Sequence, residues 1–361
     1  MTRTAAHSAT AHPATAHPVG TETSEEAQRE MSELRVAVIG VGKMGAFHVD
    51  SLSARTRGAR VTVVNDLDAD RAASIAGPIG ARVEADPFAA IDADDVDALV
   101  LASPGFAHHE QLMACLRAGK PVLCEKPLTM DEPSAHAVVE AEARLGRTLI
   151  QVGFMRRFDA EYVRLRELIV SGGIGSPLMM HCVHRNPAAA DSFTSEVAIA
   201  DSVVHEADCT RFLLGEEVVA VTVLRGRSTP AAPQGSTDPM LVLLETESGR
   251  LVDVESFVRT GVAYEVRAEV VGENGMATIG LDQNLLVRKA GRWSGEIAPD
   301  FVVRFGRAYD TQMQRWADAA ARGGIDGPGA WDGYAAVAIC EAGVAAVRSG
   351  RRTEVRLRDR P

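Results

Sequence analysis

The sequence predicts an α/β protein. A doubly wound parallel sheet comes first, followed by an α+β part with a large, mostly antiparallel open sheet. Three observations predict it. Short apolar runs alternate with helical stretches between residues 34 and 154. Beyond residue 155 strands follow one another with few helices between them. The chain has 361 residues, 46% of them hydrophobic, which suits about two domains at roughly 150 residues each.

Order is expected to begin at Leu34. LRVAVIG (34–40) is a continuous apolar run, as in a strand buried on both faces. Runs at 59–66, 96–103, 121–126 and 148–154 repeat it, with helices expected near 44–57, 69–76, 108–118 and 132–145. This alternation gives parallel βαβ units. A boundary near Phe154 separates a domain over 34–154 from one over 155–361. In the second, a helix near 158–170 ends at Ser171-Gly172-Gly173. Strands are expected at 178–184, 218–226, 240–247, 251–259, 264–271, 276–280 and 284–289, with Gly249 and Asn274-Gly275 at tight turns. Helices near 196–214, 304–322 and 331–349 complete the chain. Residues 1–33 are rich in Ala, Thr, His and Pro without apolar periodicity. They read as a disordered extension lacking the apolar core of a signal peptide.

Lys plus Arg is 38 against 49 Asp plus Glu, a net charge of −11 at pH 7. That balance, with no basic block, argues against nucleic-acid and anionic-membrane partners. No apolar run approaches the roughly 18 residues that span a bilayer. Cys115, Cys124, Cys182, Cys209 and Cys340 are scattered without CxxC spacing. They read as buried thiols of a cytoplasmic protein rather than a disulfide framework or zinc site.

The first strand runs into Gly40-Val41-Gly42-Lys43-Met44-Gly45. A lone GxGxxG is weak, but this one sits at a strand-to-helix turn, where a dinucleotide site needs it. Gly40 permits the turn, Gly42 lets the backbone approach a pyrophosphate, and Gly45 lets helix and strand pack. Asp66 ends the second strand, where a carboxylate accepts ribose hydroxyls and repels a 2′-phosphate. NAD is therefore preferred over NADP as cofactor. Ser103-Pro104 and Glu125-Lys126 lie at the carboxyl ends of strands, the ligand edge of such sheets. Asp201 and His205 share a helix at i, i+4, which puts both on one face about 5–6 Å apart. A carboxylate there can orient an imidazole and raise its basicity for general-base work. DxxxH alone is a weak motif and reads more readily as a satisfied structural pair. His181, His184, His205 and Asp208 can be assembled into a metal site only on paper. HxxH on a strand sends its imidazoles to opposite faces, so no metal is expected.

The order GVGKMG, ND, EKP, GFMRRFD and DxxxH resembles the glucose–fructose oxidoreductase/inositol dehydrogenase/MocA family over about residues 34–358. Residues 181–208 and 327–342 look like its inositol 2-dehydrogenase branch. The resemblance implies a Rossmann domain that binds NAD through Gly40, Gly42, Lys43, Met44, Gly45, Asp66, Ser103, Pro104, Glu125 and Lys126. It implies oxidation of myo-inositol to 2-keto-myo-inositol, with His205 as base, Asp201 orienting it, and Lys126 on the reacting oxygen. Arg156, His184, Asn186, Tyr264 and Tyr309 match positions that line the cyclitol pocket, and the family commonly forms homotetramers. Another cyclitol, a pyranose such as glucose, or a non-catalytic cofactor-bound regulator are the alternative readings.

Overall fold

The computed structural model describes residues 33–281 and 286–361. The expected disordered extension, apart from Glu33, and the first two residues of the expected strand 284–289 lie outside them.

Six parallel strands form the first sheet: β1 (Leu34–Ile39), β2 (Ala59–Asn65), β3 (Arg82–Val83), β4 (Ala98–Leu101), β5 (Val122–Cys124) and β6 (Ile150–Val152). Their order is β3-β2-β1-β4-β5-β6, which reverses at β1. That reversal opens a crevice at the carboxyl ends of β1 and β4. Val36, Val38, Leu99 and Leu101 are fully or almost fully buried, the burial on both faces that the apolar runs predict. The crossovers are α1 (Lys43–Ala54), α2 (Ala69–Ala76), α3 (Pro87–Asp92), α4 (Gly105–Ala118) and α5 (Glu132–Leu145). Asp68, Asp86 and Asp131 cap three of them by accepting a backbone N–H.

After α6 (Ala160–Val170) comes the second sheet. It holds β7 (Pro177–Arg185), β8 (Val218–Arg225), β9 (Met240–Thr246), β10 (Leu251–Phe257), β11 (Glu265–Gly272), β12 (Gly275–Ile279) and β15 (Thr353–Glu354). The order is β12-β11-β7-β10-β9-β8-β15, antiparallel except where β7 meets β10. The Asn-Gly signal does close a hairpin between β11 and β12. Residues 287–289 leave this sheet and pair instead with 292–294, as strands β13 and β14 of a separate hairpin.

One face of the sheet alternates inward and covers α7 (Val204–Leu214) and α9 (Ala330–Ser349). The other face carries His181 on Asp253, and Arg185 between Glu255 and Glu265.

Two findings depart from the sequence reading. Helix α8 (Phe301–Ala320) follows the second sheet in sequence, yet its Met313, Trp316, Ala317 and Ala320 complete the core of the first. Helix α9 is, against expectation, long and apolar enough to cross a membrane by length and composition. Ala and Val, with Ile339 and Cys340, give it that hydropathy, and most of it is buried among α5, α7 and β8 as a core helix.

Candidate active site

The turn after β1 is built for a ligand. Gly40 has φ +81°, and a Cβ there would stand 2.6 Å from the amide nitrogen of Ser103. A Cβ on Gly45 would meet the Gly40 carbonyl oxygen at 1.8 Å, so helix and strand touch backbone to backbone. Gly42 differs, since a Cβ there meets nothing within 4 Å. The N-terminus of α1 opens into that space with no side-chain cap and no acidic residue in its first turn. The N–H groups of Lys43 and Met44 therefore have no side-chain acceptor, the arrangement that receives a pyrophosphate. The residues present fit NAD.

Asp66 follows β2. Its Oδ2 accepts the Val41 N–H at 2.8 Å and its Oδ1 the Asp68 N–H at 2.9 Å, so it ties down the glycine turn. Partial burial works against ionisation, but these two N–H groups and Arg71 hold the carboxyl below its ordinary range. A carboxylate has about four acceptor sites, and with Arg71 Nη1 also on Oδ1 at 3.2 Å about one remains, on Oδ2, for a ribose hydroxyl. Ser103 and Pro104 lead from β4 into α4 beside Gly40, and Ser103 Oγ donates to Gln111 at 2.6 Å.

Beside this turn lies a cavity of about 280 Å³. Met44, Glu125, Lys126, His184, Asn186, Asp201, His205, Tyr264 and Tyr309 all line it. Elements from both parts of the chain supply them: the ends of β5 and β7, the residue before β11, residues 198–203, α1, α7 and α8. Asn186 Oδ1 is buried with no protein partner, an acceptor left for a ligand. Glu125 accepts from buried His48 at 2.8 Å. Tyr309 packs edge-on to Phe47 and His48.

The structure changes two expected relationships. Residues 198–203 are wound as a π-helix ahead of α7, so Asp201 and His205 do not keep α-helical spacing. Asp201 turns out to Lys126, whose Nζ donates to Oδ1 at 2.8 Å and to the Asp201 carbonyl at 3.2 Å. No hydrogen bond joins Asp201 to His205. The basicity of His205 goes down, not up: burial disfavours its charged form, and Arg156 and Lys126 add to the effect.

Arg156 is the second correction. It is 1% exposed and stands behind the cavity wall, not on it. Its Nη1 donates to Glu206 Oε1, and its Nη2 lies 3.3 Å from His184 Nδ1. Among the described residues no group of three His, Cys, Asp or Glu side chains is arranged to hold a metal. His181 bonds Asp253 on the open sheet face while His184 turns inward. Glu206 and His48 were missed by sequence reasoning. No sequence pattern marked Glu206, which shares VHEADCTRFLL with Asp208 and Arg211 and is buried with eight others of the eleven residues of α7.

Two family profiles match: "Oxidoreductase family, NAD-binding Rossmann fold" over residues 34–154, and "Oxidoreductase family, C-terminal alpha/beta domain" over 166–357. The chain belongs to the Gfo/Idh/MocA oxidoreductase family. Within this family it is 57% identical to the inositol 2-dehydrogenase of Rhodococcus erythropolis, over 90% of this chain and 95% of that protein. It is 56% identical to the enzyme of the same name from Mycolicibacterium smegmatis, over 91% and 98%. Among solved Gfo/Idh/MocA structures it resembles myo-inositol dehydrogenase of Lactobacillus casei in complex with NAD(H) and myo-inositol. That match has a TM-score of 0.88 and 31% identity, and covers 91% of this chain and 98% of that one.

Proposed function

We propose that this protein is an NAD-dependent inositol 2-dehydrogenase that oxidises myo-inositol at C2 to 2-keto-myo-inositol. The observation that carries the reading is the composition of the cavity. It is small, and it gathers Lys126, His184, Asn186, Asp201, His205 and Tyr264. Arg156, the guanidinium behind its wall, is spent on Glu206. A 2-hydroxy acid calls for a free anion clamp, whereas a cyclitol offers six uncharged hydroxyls that need several neutral donors and acceptors. The similarity to inositol 2-dehydrogenases over nine-tenths of the chain supports the same reading.

NAD, when bound, supplies the hydride acceptor, and Gly40, Gly42, Lys43, Met44, Gly45, Asp66, Ser103, Pro104 and Glu125 would hold it. The chain's own groups do the rest. His205 is kept neutral by its surroundings and so is ready to accept the hydroxyl proton. Lys126 places a fixed positive charge beside the oxygen that becomes an alkoxide. Asp201 holds that ammonium in place from across the cavity and keeps an exposed carboxylate for a substrate hydroxyl. His184, Asn186, Tyr264 and Tyr309 bind the remaining hydroxyls. Replacing His205 with Ala should cost about 10²–10⁴ in kcat, the usual worth of a general base. Unchanged turnover with myo-inositol would exclude this mechanism.

A homotetramer is the assembly we propose. The outer face of the second sheet presents Met179, Leu241 and Leu251 around its paired charges, and a second copy would cover them. We also propose a cytoplasmic setting, supported by five buried cysteines that are all free. Cell fractionation that recovers the protein outside the cytoplasm would contradict it.

A further inference from the structure

Behind the cavity wall lie Arg156 and Glu206, which the mechanism above does not use, and they form a buried triad with His184 of the lining. Arg156, His184 and Glu206 come from the 3₁₀ turn Met155–Phe158, β7 and α7, and all three are at most 3% exposed. Glu206 Oε1 takes the hydrogen bond from Arg156 Nη1. The same carboxylate faces His184 Nδ1 with its oxygens at 3.1 and 3.0 Å. A carboxylate only accepts, so Nδ1 must carry the proton. In the neutral ring Nε2 is then a lone pair, and it has no partner among the described residues. His184 lines the cavity, and its ring stands 6.4 Å from that of His205.

Arg156 would impose the opposite state if it acted alone. Its Nη2 is 3.3 Å from the same Nδ1 and can only donate, which would push the proton to Nε2. Glu206 therefore decides between two tautomers and so between two kinds of pocket. With it, His184 is an acceptor; without it, His184 is a donor in a cavity that already holds donors in Lys126, Tyr264 and Tyr309. A polyol needs acceptors for its hydroxyl protons, and Asn186 Oδ1 and His184 Nε2 supply two of them.

We propose that Glu206 is a positioning residue: it fixes His184 as the Nδ1–H tautomer and thereby makes it a hydroxyl-accepting contact for the substrate. The substrate half of this rests on the cyclitol reading above, while the tautomer half does not.

The test uses the full-length protein labelled with ¹⁵N-histidine, with the His184 signals assigned by comparison with His184→Gln. The wild type without substrate should show His184 protonated at Nδ1. Glu206→Gln keeps the shape but lets an amide N–H face Nδ1 beside Arg156, so the pattern should change to Nε2–H. KM for myo-inositol should then rise about ten-fold, as expected for one lost buried hydrogen bond, while the Kd for NAD stays at the wild-type value. Glu206→Asp, which keeps the charge, should restore the Nδ1–H pattern at least in part. A merely structural role would lower stability without moving the tautomer. An Nε2–H signal in the wild type overturns the proposal even if the Gln variant fails to fold. So does an unchanged tautomer in Glu206→Gln, or a changed tautomer with an unchanged KM. Absence of NADH formation with every cyclitol is a separate result and defeats the substrate reading instead.

Discussion

Replacing Lys126 with Met keeps the length of the side chain and removes its charge. The ammonium is 18% exposed and its partner Asp201 is 50% exposed. A pair that open to water contributes at most about 1 kcal/mol, so Tm should fall by roughly 2 °C or less. The effect on turnover should be far larger. A fixed positive group at a developing alkoxide is worth about 10²–10³ in kcat, or about 2.7–4 kcal/mol. The pH profile gives an independent sign. Burial is the main reason that His205 is hard to protonate, and Lys126 is one of the cations that add to it. Catalysis needs the neutral ring, so activity is lost as pH falls through the pKa of His205. In the wild type that acid limb of kcat/KM should lie well below the ordinary histidine value of about 6.5. In Lys126→Met it should move to higher pH. Steady-state NADH formation across pH, alongside thermal unfolding, reads all three quantities. A loss smaller than ten-fold, or a limb that moves to lower pH, would refute the role given to Lys126.

Gly45→Ala should unsettle the first turn, because the new Cβ falls 1.8 Å from a backbone oxygen, and both Tm and NAD binding should drop. Gly42→Ala adds a methyl in open space, so Tm should hold while NAD affinity falls about ten-fold or more. Wild-type NAD affinity in Gly42→Ala, read by fluorescence titration, would disprove the close approach at that glycine. Light scattering should give the mass of four chains, and a monomer would reject the assembly proposed for the open sheet face.

The parallel sheet was legible because strands buried on both faces write continuous apolar runs, and Val36 to Ile39 do so plainly. The hairpin at Asn274-Gly275 was legible through its turn residues. Strands of two residues, such as β3 and β15, carry too little pattern to be read. The place of α8 was hidden for another reason. An amphipathic helix shows that it has a buried face, but not which sheet it covers, and Trp316 lands on the one far from it in sequence.

The site shows the same division. Strand ends and helix positions led to Glu125, Lys126, Asp201 and His205, and the family resemblance to His184, Asn186, Tyr264 and Tyr309, all of which line one cavity. What failed depended on a local winding or on burial. The π-helix over 198–203 sends Asp201 to Lys126, and no residue in AIADSV signals it. Arg156 was expected in contact with substrate because the family resemblance matched it to a pocket-lining position. Only the carboxylate of Glu206, fifty residues further along, makes its burial tolerable.

The central claim is that a neutral polyol is oxidised with NAD in this cavity. The most direct measurement is NADH formation at about 340 nm by the purified protein, across myo-, scyllo- and D-chiro-inositol, glucose and a 2-hydroxy acid, with NAD and NADP in parallel. We expect the highest kcat/KM for myo-inositol with NAD, with 2-keto-myo-inositol as product, and no turnover of the hydroxy acid. Activity on glucose with none on myo-inositol, or no activity on any polyol, would contradict the account.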